Sequence, residues 1–180
     1  MRSVMLDLET WGTRPGSALR SIGAIAFDAS GRIGREFYMN IADITCRDVG
    51  LEADPATVEW WDKQSEKARD ALEVDQQPLN LVVDAFHEWF VAEGAVYIWS
   101  HGANFDEPLW TAAAHACGRK VPWKYWDSRC TRTLFHLAQL DTRRMQRSAG
   151  RVAHNALDDC RFQIECVHMA YKMLRAEALA

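Results

Sequence analysis

The chain has 180 residues, a length that suits one domain spanning residues 1–180. Hydrophobic residues make up 48% and charged residues 26%, which fits a packed core and leaves little room for a disordered tail. A net charge of −4 excludes a protein that holds nucleic acid by bulk positive charge alone; a nuclease stays open, because carboxylates that bind cations count as negative in that sum. The cysteines are Cys46, Cys117, Cys130, Cys160 and Cys166. Their odd number and the lack of a CxxC pair fit free thiols in a reducing cytoplasm. No apolar run approaches membrane-spanning length and no signal peptide is visible, so a cytoplasmic protein with no membrane partner is expected.

Val4-Met5-Leu6-Asp7-Leu8-Glu9-Thr10 alternates with period two, which argues for a strand. Val4, Leu6 and Leu8 take one face. Met5, Asp7 and Glu9 take the other, so two carboxylates lie side by side. Like charges that close cost free energy unless something offsets them. A divalent cation is one offset, and hard oxygen ligands suit magnesium or manganese; a solvated edge strand is the plainer alternative.

After the turn-rich 13–17 segment, Leu19 to Phe27 reads as a second strand and Arg32 to Ile41 as a third, with Asp28-Ala29-Ser30-Gly31 as the turn between them. The spacing suggests an antiparallel meander. Ala42 to Asp54 has weak periodicity and is read as loop. Pro55 opens a helix carrying Trp60 and Trp61, a second short helix runs from Ser65 to about Leu72, and Pro78 opens a longer one. Leu79, Val82, Val83, Phe86, Trp89 and Phe90 form its core stripe. Trp60 and Trp61 are expected in the core or an interface.

Ala95 to Ser100 reads as a compact strand. Asn104 suits the N-cap of a helix through Leu109 to Cys117, so Asp106 falls in a helix's first turn just past a strand end, where open α/β sheets bind ligands. Trp123 to Asp127 is expected to form a last short strand, and Asp127 or Ser128 to cap a helix from Cys130 to Leu140. Asp141 to Ala153 then holds Arg143, Arg144, Arg147 and Arg151, a basic cluster in an acidic chain. It is either a solvated loop or an arm that meets phosphates; its place just before His154 favours the second. The last helix runs from about Asn155 to Ala176, with Leu157, Cys160, Ile164, Val167, Tyr171 and Leu174 as its buried stripe. At about 100° per residue, Asp159 falls nearer that stripe than Asp158, which points to solvent.

Three motifs stand in order: Asp7-Leu8-Glu9-Thr10, Asn104-Phe105-Asp106, and His154-Asn155-Ala156-Leu157-Asp158-Asp159. Together they resemble the DEDDh, or DnaQ-like, family of 3′–5′ exonucleases on an RNase H-like fold. The five-residue step from His154 to Asp159 matches the family spacing. Thr57-Val58-Glu59-Trp60-Trp61, His101-Gly102 and Asp127-Ser128-Arg129-Cys130-Thr131 resemble a small branch with phage exonucleases and a mycobacterial exoribonuclease. Trp11 departs from the family's usual Thr, and Gly12 follows as in the family.

The resemblance implies an α/β fold, a mixed five-stranded sheet flanked by helices on both faces. It implies two divalent cations, Mg²⁺ or Mn²⁺, held by Asp7, Glu9, Asp106 and Asp159, with His154 as general base. The implied substrate is the 3′ end of single-stranded RNA or DNA, with RNA slightly favoured and nucleoside 5′-monophosphates released. Candidate substrate contacts are Thr10, Trp11, Gly12 and Asn104, with Arg147 and Arg151 from the basic loop. Trp11 is expected either to stack on a terminal base or simply to pack. Close relatives in the branch form dimers, so a homodimer is expected. Two rivals are a non-catalytic nucleic-acid-binding module on the same fold and a phosphodiesterase acting on dinucleotides.

Overall fold

The computed structural model describes residues 2–145 and 155–177. In chain order the elements are β1 Ser3–Thr10, β2 Leu19–Phe27, β3 Ile33–Asn40, α1 Asp43–Asp48, α2 Pro55–Asp62, α3 Glu66–Glu73, α4 Leu79–Ala92, β4 Tyr97–Ser100, α5 Asp106–Ala116, β5 Ser128–Cys130, α6 Thr131–Leu137 and α7 Ala156–Glu177. The five strands form one sheet in the order β3-β2-β1-β4-β5. β1, β2 and β3 are the expected antiparallel meander. β4 and β5 run parallel to β1, so the sheet is mixed. A mixed five-stranded sheet with helices on both faces is what the resemblance implies.

Alternation on β1 divides the interior in two. Val4, Leu6 and Leu8, with Ile22, Ala24 and Ala26 of β2, face α4 and α5, which supply Val82, Phe86, Leu109 and Trp110. Met5, Ile25, Phe27 and Trp99 face α6 and α7, which supply Phe135, Cys160, Ile164 and Val167. Every residue of β2 is buried, as both faces of the sheet are covered. Phe86 sits where the α4 stripe meets Trp110, at 5.0 Å between ring centroids, and Phe37, at 5.4 Å. Truncating such a ring to Ala costs about 3–5 kcal/mol. No described helix is long and apolar enough to cross a membrane.

Four sequence expectations are corrected. The 42–54 segment is not all loop, because α1 forms in it. Only Cys46 of that helix is buried, so it carries no stripe; an Arg47–Asp43 ion pair at 2.7 Å and the Thr45 hydroxyl, which accepts from Leu79 N at 3.0 Å, hold it instead. The last strand is Ser128–Cys130 rather than 123–127. Trp123 is drawn into the core, where its indole donates to Glu107 at 3.0 Å, and residues 125–127 form a 3₁₀ turn. The following helix starts at Thr131 with no side-chain cap from Asp127 or Ser128. Asn104 does not cap α5: Phe105 holds that position, with no side-chain cap bond, and Asn104 is exposed.

Candidate metal centre

β1 and β4 are parallel neighbours, so their carboxyl ends open on the same side of the sheet. Glu9 ends one strand, and the turn after Ser100 leads to Asp106 from the other. The third contribution arrives from α7. Asn155 caps that helix, its Oδ1 accepting from Asp158 N at 3.1 Å. The first turn of α7 then lies on Gly23, which pairs with Asp7 in the β1–β2 register. A Cβ on Gly23 would stand 2.5 Å from the Ala156 carbonyl carbon. Only a residue without a side chain lets the helix come this close. Cys160 completes the seat, its thiol 3.4 Å from Gly23 O and 3.5 Å from Met5 O.

This seat brings Asp159 to the sheet. Asp7, Glu9 and Asp159 each offer an oxygen, and these atoms lie within 4.8 Å of one another. Asp158 turns away and pairs with Arg161 at 2.7 Å. Asp106 is not part of the three-acid group. It is buried nearby, with Oδ1 accepting from Leu8 N at 3.1 Å, so the α5 start is tied directly to the strand that carries Asp7 and Glu9.

The electrostatics follow from burial. Burial pushes the Asp7 carboxyl well above its usual range, and Asp106, Glu9 and Asp159 push it further. Glu9 is raised to about 8, first by burial, then by Asp159 and Asp106, with Arg20 opposing. Asp106 is raised to about 7 by burial, against the Leu8 hydrogen bond. Buried and half-buried carboxylates this close repel one another, and a bound cation would offset that repulsion. The donor set is all oxygen, which suits a hard divalent ion.

Two hollows flank the acids. One, of about 670 Å³, is lined by Asp7, His101, Asp106, Arg132, Asp159 and Gln163, among others. The other, of about 530 Å³, adds Glu9, Thr10, Thr57 and Trp60. Phe105 borders both. Trp60, expected in the core or an interface, is 41% exposed on the second hollow. Trp61 is buried, and its indole donates to Thr10 O at 2.8 Å.

The remaining sequence candidates are distributed as follows. The Thr10 hydroxyl donates to Gly12 O at 2.7 Å, a local turn bond. Gly12 is buried against Ser17, with no room for a Cβ. Trp11 lines neither hollow. Its ring lies 4.0 Å from the Arg20 guanidinium and packs on the core, so the packing alternative describes its position. Asn104 lines neither hollow. Arg147, Arg151 and His154 lie outside the described residues. Arg143, from the same basic segment, lines the first hollow while paired to Asp141 at 2.9 Å.

Gln163, His101 and Arg132 were not singled out from the sequence as site residues. The signal for Gln163 is its i+4 step from Asp159, which puts both on one helix face. His101 is held by Thr131, 2.8 Å from ring nitrogen to hydroxyl. Arg132 had no periodic signal, because exposed helix positions carry none.

No curated protein matches the chain significantly. Among solved structures, Schizosaccharomyces pombe Pop2p in its Mg²⁺- and Mn²⁺-bound form is similar at 14% identity, covering 93% of this chain and 81% of that one with a TM-score of 0.49. A family model described as the Rv2179c-like 3′–5′ exoribonuclease domain matches residues 2–171. That span takes in both strands and the helix that bring the acids together, and the chain belongs to this family of 3′–5′ exonucleases.

Proposed function

We propose that the chain hydrolyses the terminal phosphodiester at the 3′ end of single-stranded nucleic acid, RNA in preference to DNA, and releases nucleoside 5′-monophosphates. The observation that carries this is the meeting of Asp7, Glu9 and Asp159 within 4.8 Å at the shared mouth of two parallel strands. These acids, with Asp106, would hold two divalent cations, Mg²⁺ or Mn²⁺. When bound, such a pair activates water and stabilises the leaving oxygen.

The chain's own residues supply the rest. Asp7 and Glu9 present their carboxylates from a rigid central strand, and Asp159 closes the group from α7. Asp106 braces the strand through Leu8 N and adds charge. Trp60 and Phe105 offer apolar surface beside Glu9 for a terminal base, by stacking worth about 1–3 kcal/mol. His154, at the family spacing from Asp159, takes the proton of the attacking water. Its intrinsic pKa near neutrality suits that task. Arg147 and Arg151 contact phosphates of the bound strand.

The test is one gel. RNA and DNA oligomers of matched sequence, labelled at either the 3′ or the 5′ end, are incubated with Mn²⁺, Mg²⁺ or chelator. A 5′ label moving down a ladder one nucleotide at a time, a 3′ label released at once as mononucleotide, and no cleavage with chelator are expected. Internal cleavage, or activity that survives chelation, would contradict the proposal. Faster loss of DNA than RNA would contradict the sugar preference alone.

A further inference from the structure

Gln163 sits on α7 four residues after Asp159, so both side chains project from one face toward the mouth of the sheet. Its amide nitrogen donates to Asp7 Oδ1 at 2.7 Å. The residue is only 7% exposed and lines the hollow beside Asp7, Asp106 and Asp159. Its carbonyl oxygen is buried with no hydrogen-bond partner among the described residues. A buried amide oxygen left unpaired costs free energy, because it has given up its hydrogen bonds to water. Such a group in a native fold calls for an explanation, and packing gives none here: an apolar side chain of the same length would fill the space without that cost.

We propose that Gln163 is a positioning residue for the cation site. Its amide N–H fixes the Asp7 carboxylate in one orientation by occupying Oδ1. Its free carbonyl oxygen adds a neutral hard-oxygen acceptor at the edge of the acid cluster, of the kind magnesium and manganese and their hydration shells favour. A neutral donor is suited to this place. A fourth carboxylate against Asp7 would add to the repulsion that already raises the acids there. Supporting partners of this kind typically change metal affinity or activity by about 10–100-fold when removed. The inference rests on the reading of Asp7, Glu9 and Asp159 as cation ligands, and its test separates the two.

Mn²⁺ alone is titrated into the substrate-free full chain, with free Mn²⁺ followed by electron paramagnetic resonance. Gln163→Met keeps the length and volume but loses both polar atoms. Gln163→Asn keeps the amide but shortens its reach. Both are expected to weaken Mn²⁺ binding about 10–100-fold, and metal-free thermal melting of each variant shows that it folds. In turnover assays at saturating RNA, raising Mn²⁺ is expected to restore much of the lost kcat, with KM for RNA unchanged. Mn²⁺ affinity within twofold of the unsubstituted chain, in whichever variant folds, would overturn the positioning role and leave the cation site standing. Absence of Mn²⁺ binding in the unsubstituted chain would overturn both.

Discussion

The backbone of Ala156 occupies the space into which a side chain on Gly23 would grow, with 2.5 Å between its carbonyl carbon and that Cβ position. Because Gly23 pairs with Asp7, this contact sets the distance between the strand acids and the helix acid. Gly23→Ala must lift the first turn of α7. The overpacking is expected to cost about 1–3 kcal/mol of stability, and a displacement of about 1 Å in Asp159 is expected to lower kcat about a hundredfold. Thermal melting and steady-state kinetics measure the two effects; a variant with full kcat would show that the helix seat does not set the site.

The acids make stability depend on pH in an unusual direction. Glu9 rises from an ordinary 4.5 to about 8 in the fold, and Asp106 from 3.8 to about 7, both chiefly through burial. The folded chain therefore binds more protons than the unfolded one across that window. Stability from these protonated acids is fully present below about pH 4, begins to fall as pH passes the unfolded values, and is lost by about pH 8. The metal-free chain is expected to melt at lower temperature at pH 8 than at pH 5. Glu9→Gln should flatten the slope. Mn²⁺ should raise the melting temperature at pH 8 and do little at pH 5, where protons compete for the ligands. A melting temperature that rises with pH in chelator would run against this electrostatic picture.

Neighbouring aspartates on α7 are expected to differ sharply. Asp159→Asn removes a member of the three-acid group and should lower kcat by at least roughly a hundredfold, the scale of losing one preorganised electrostatic partner. Asp158→Asn loosens an ion pair with Arg161, which also binds Glu36 at 2.6 Å. Its cost should be about 0–1 kcal/mol in stability with kcat kept. The reverse ranking in a turnover assay would mean that the helix is rotated relative to this description.

Trp60→Ala is expected to raise KM for RNA about 5–150-fold, the equivalent of about 1–3 kcal/mol of base stacking, with a smaller change in kcat. Trp11→Ala should instead lower the melting temperature. It strips one face from Arg20, whose guanidinium lies between Trp11 at 4.0 Å and Trp61 at 4.5 Å, a contact worth about 0.5–2 kcal/mol. Equal KM effects from the two variants would argue against Trp60 as the stacking surface.

His154→Ala is expected to reduce kcat about 10²–10⁴-fold while KM and Mn²⁺ affinity hold, as befits a proton acceptor that is not a ligand. Loss of Mn²⁺ binding in that variant would recast it as part of the cation cage.

Much of this was legible before the structure. Period-two alternation placed Val4, Leu6 and Leu8 apart from Met5, Asp7 and Glu9, and the two cores divide along that line. The α4 stripe from Leu79 to Phe90 was legible because a buried helix face imposes its period on the sequence. The 100° rule puts Asp159 nearer the buried stripe, and Asp159 is the one that joins the three-acid group; Asp158, expected in solvent, is instead only 17% exposed beside Arg161. What stayed hidden depends on partners far along the chain. α1 is held by single contacts rather than a stripe. β5 exists because β4 pairs with it, and its three half-buried residues carry no pattern. Trp11 and Trp60 look equally aromatic in sequence; only the buried cation Arg20 draws one aside and leaves the other on the hollow. The role of Gly23 needs the three-dimensional closeness of residues more than 130 positions apart.

Anomalous diffraction at the manganese edge, on crystals grown with Mn²⁺ and a non-hydrolysable RNA, addresses the centre of the account most directly. Two peaks contacted by oxygens of Asp7, Glu9 and Asp159, with Asp106 beside them, are the result it requires. Peaks elsewhere, or none at full Mn²⁺ saturation, would contradict it.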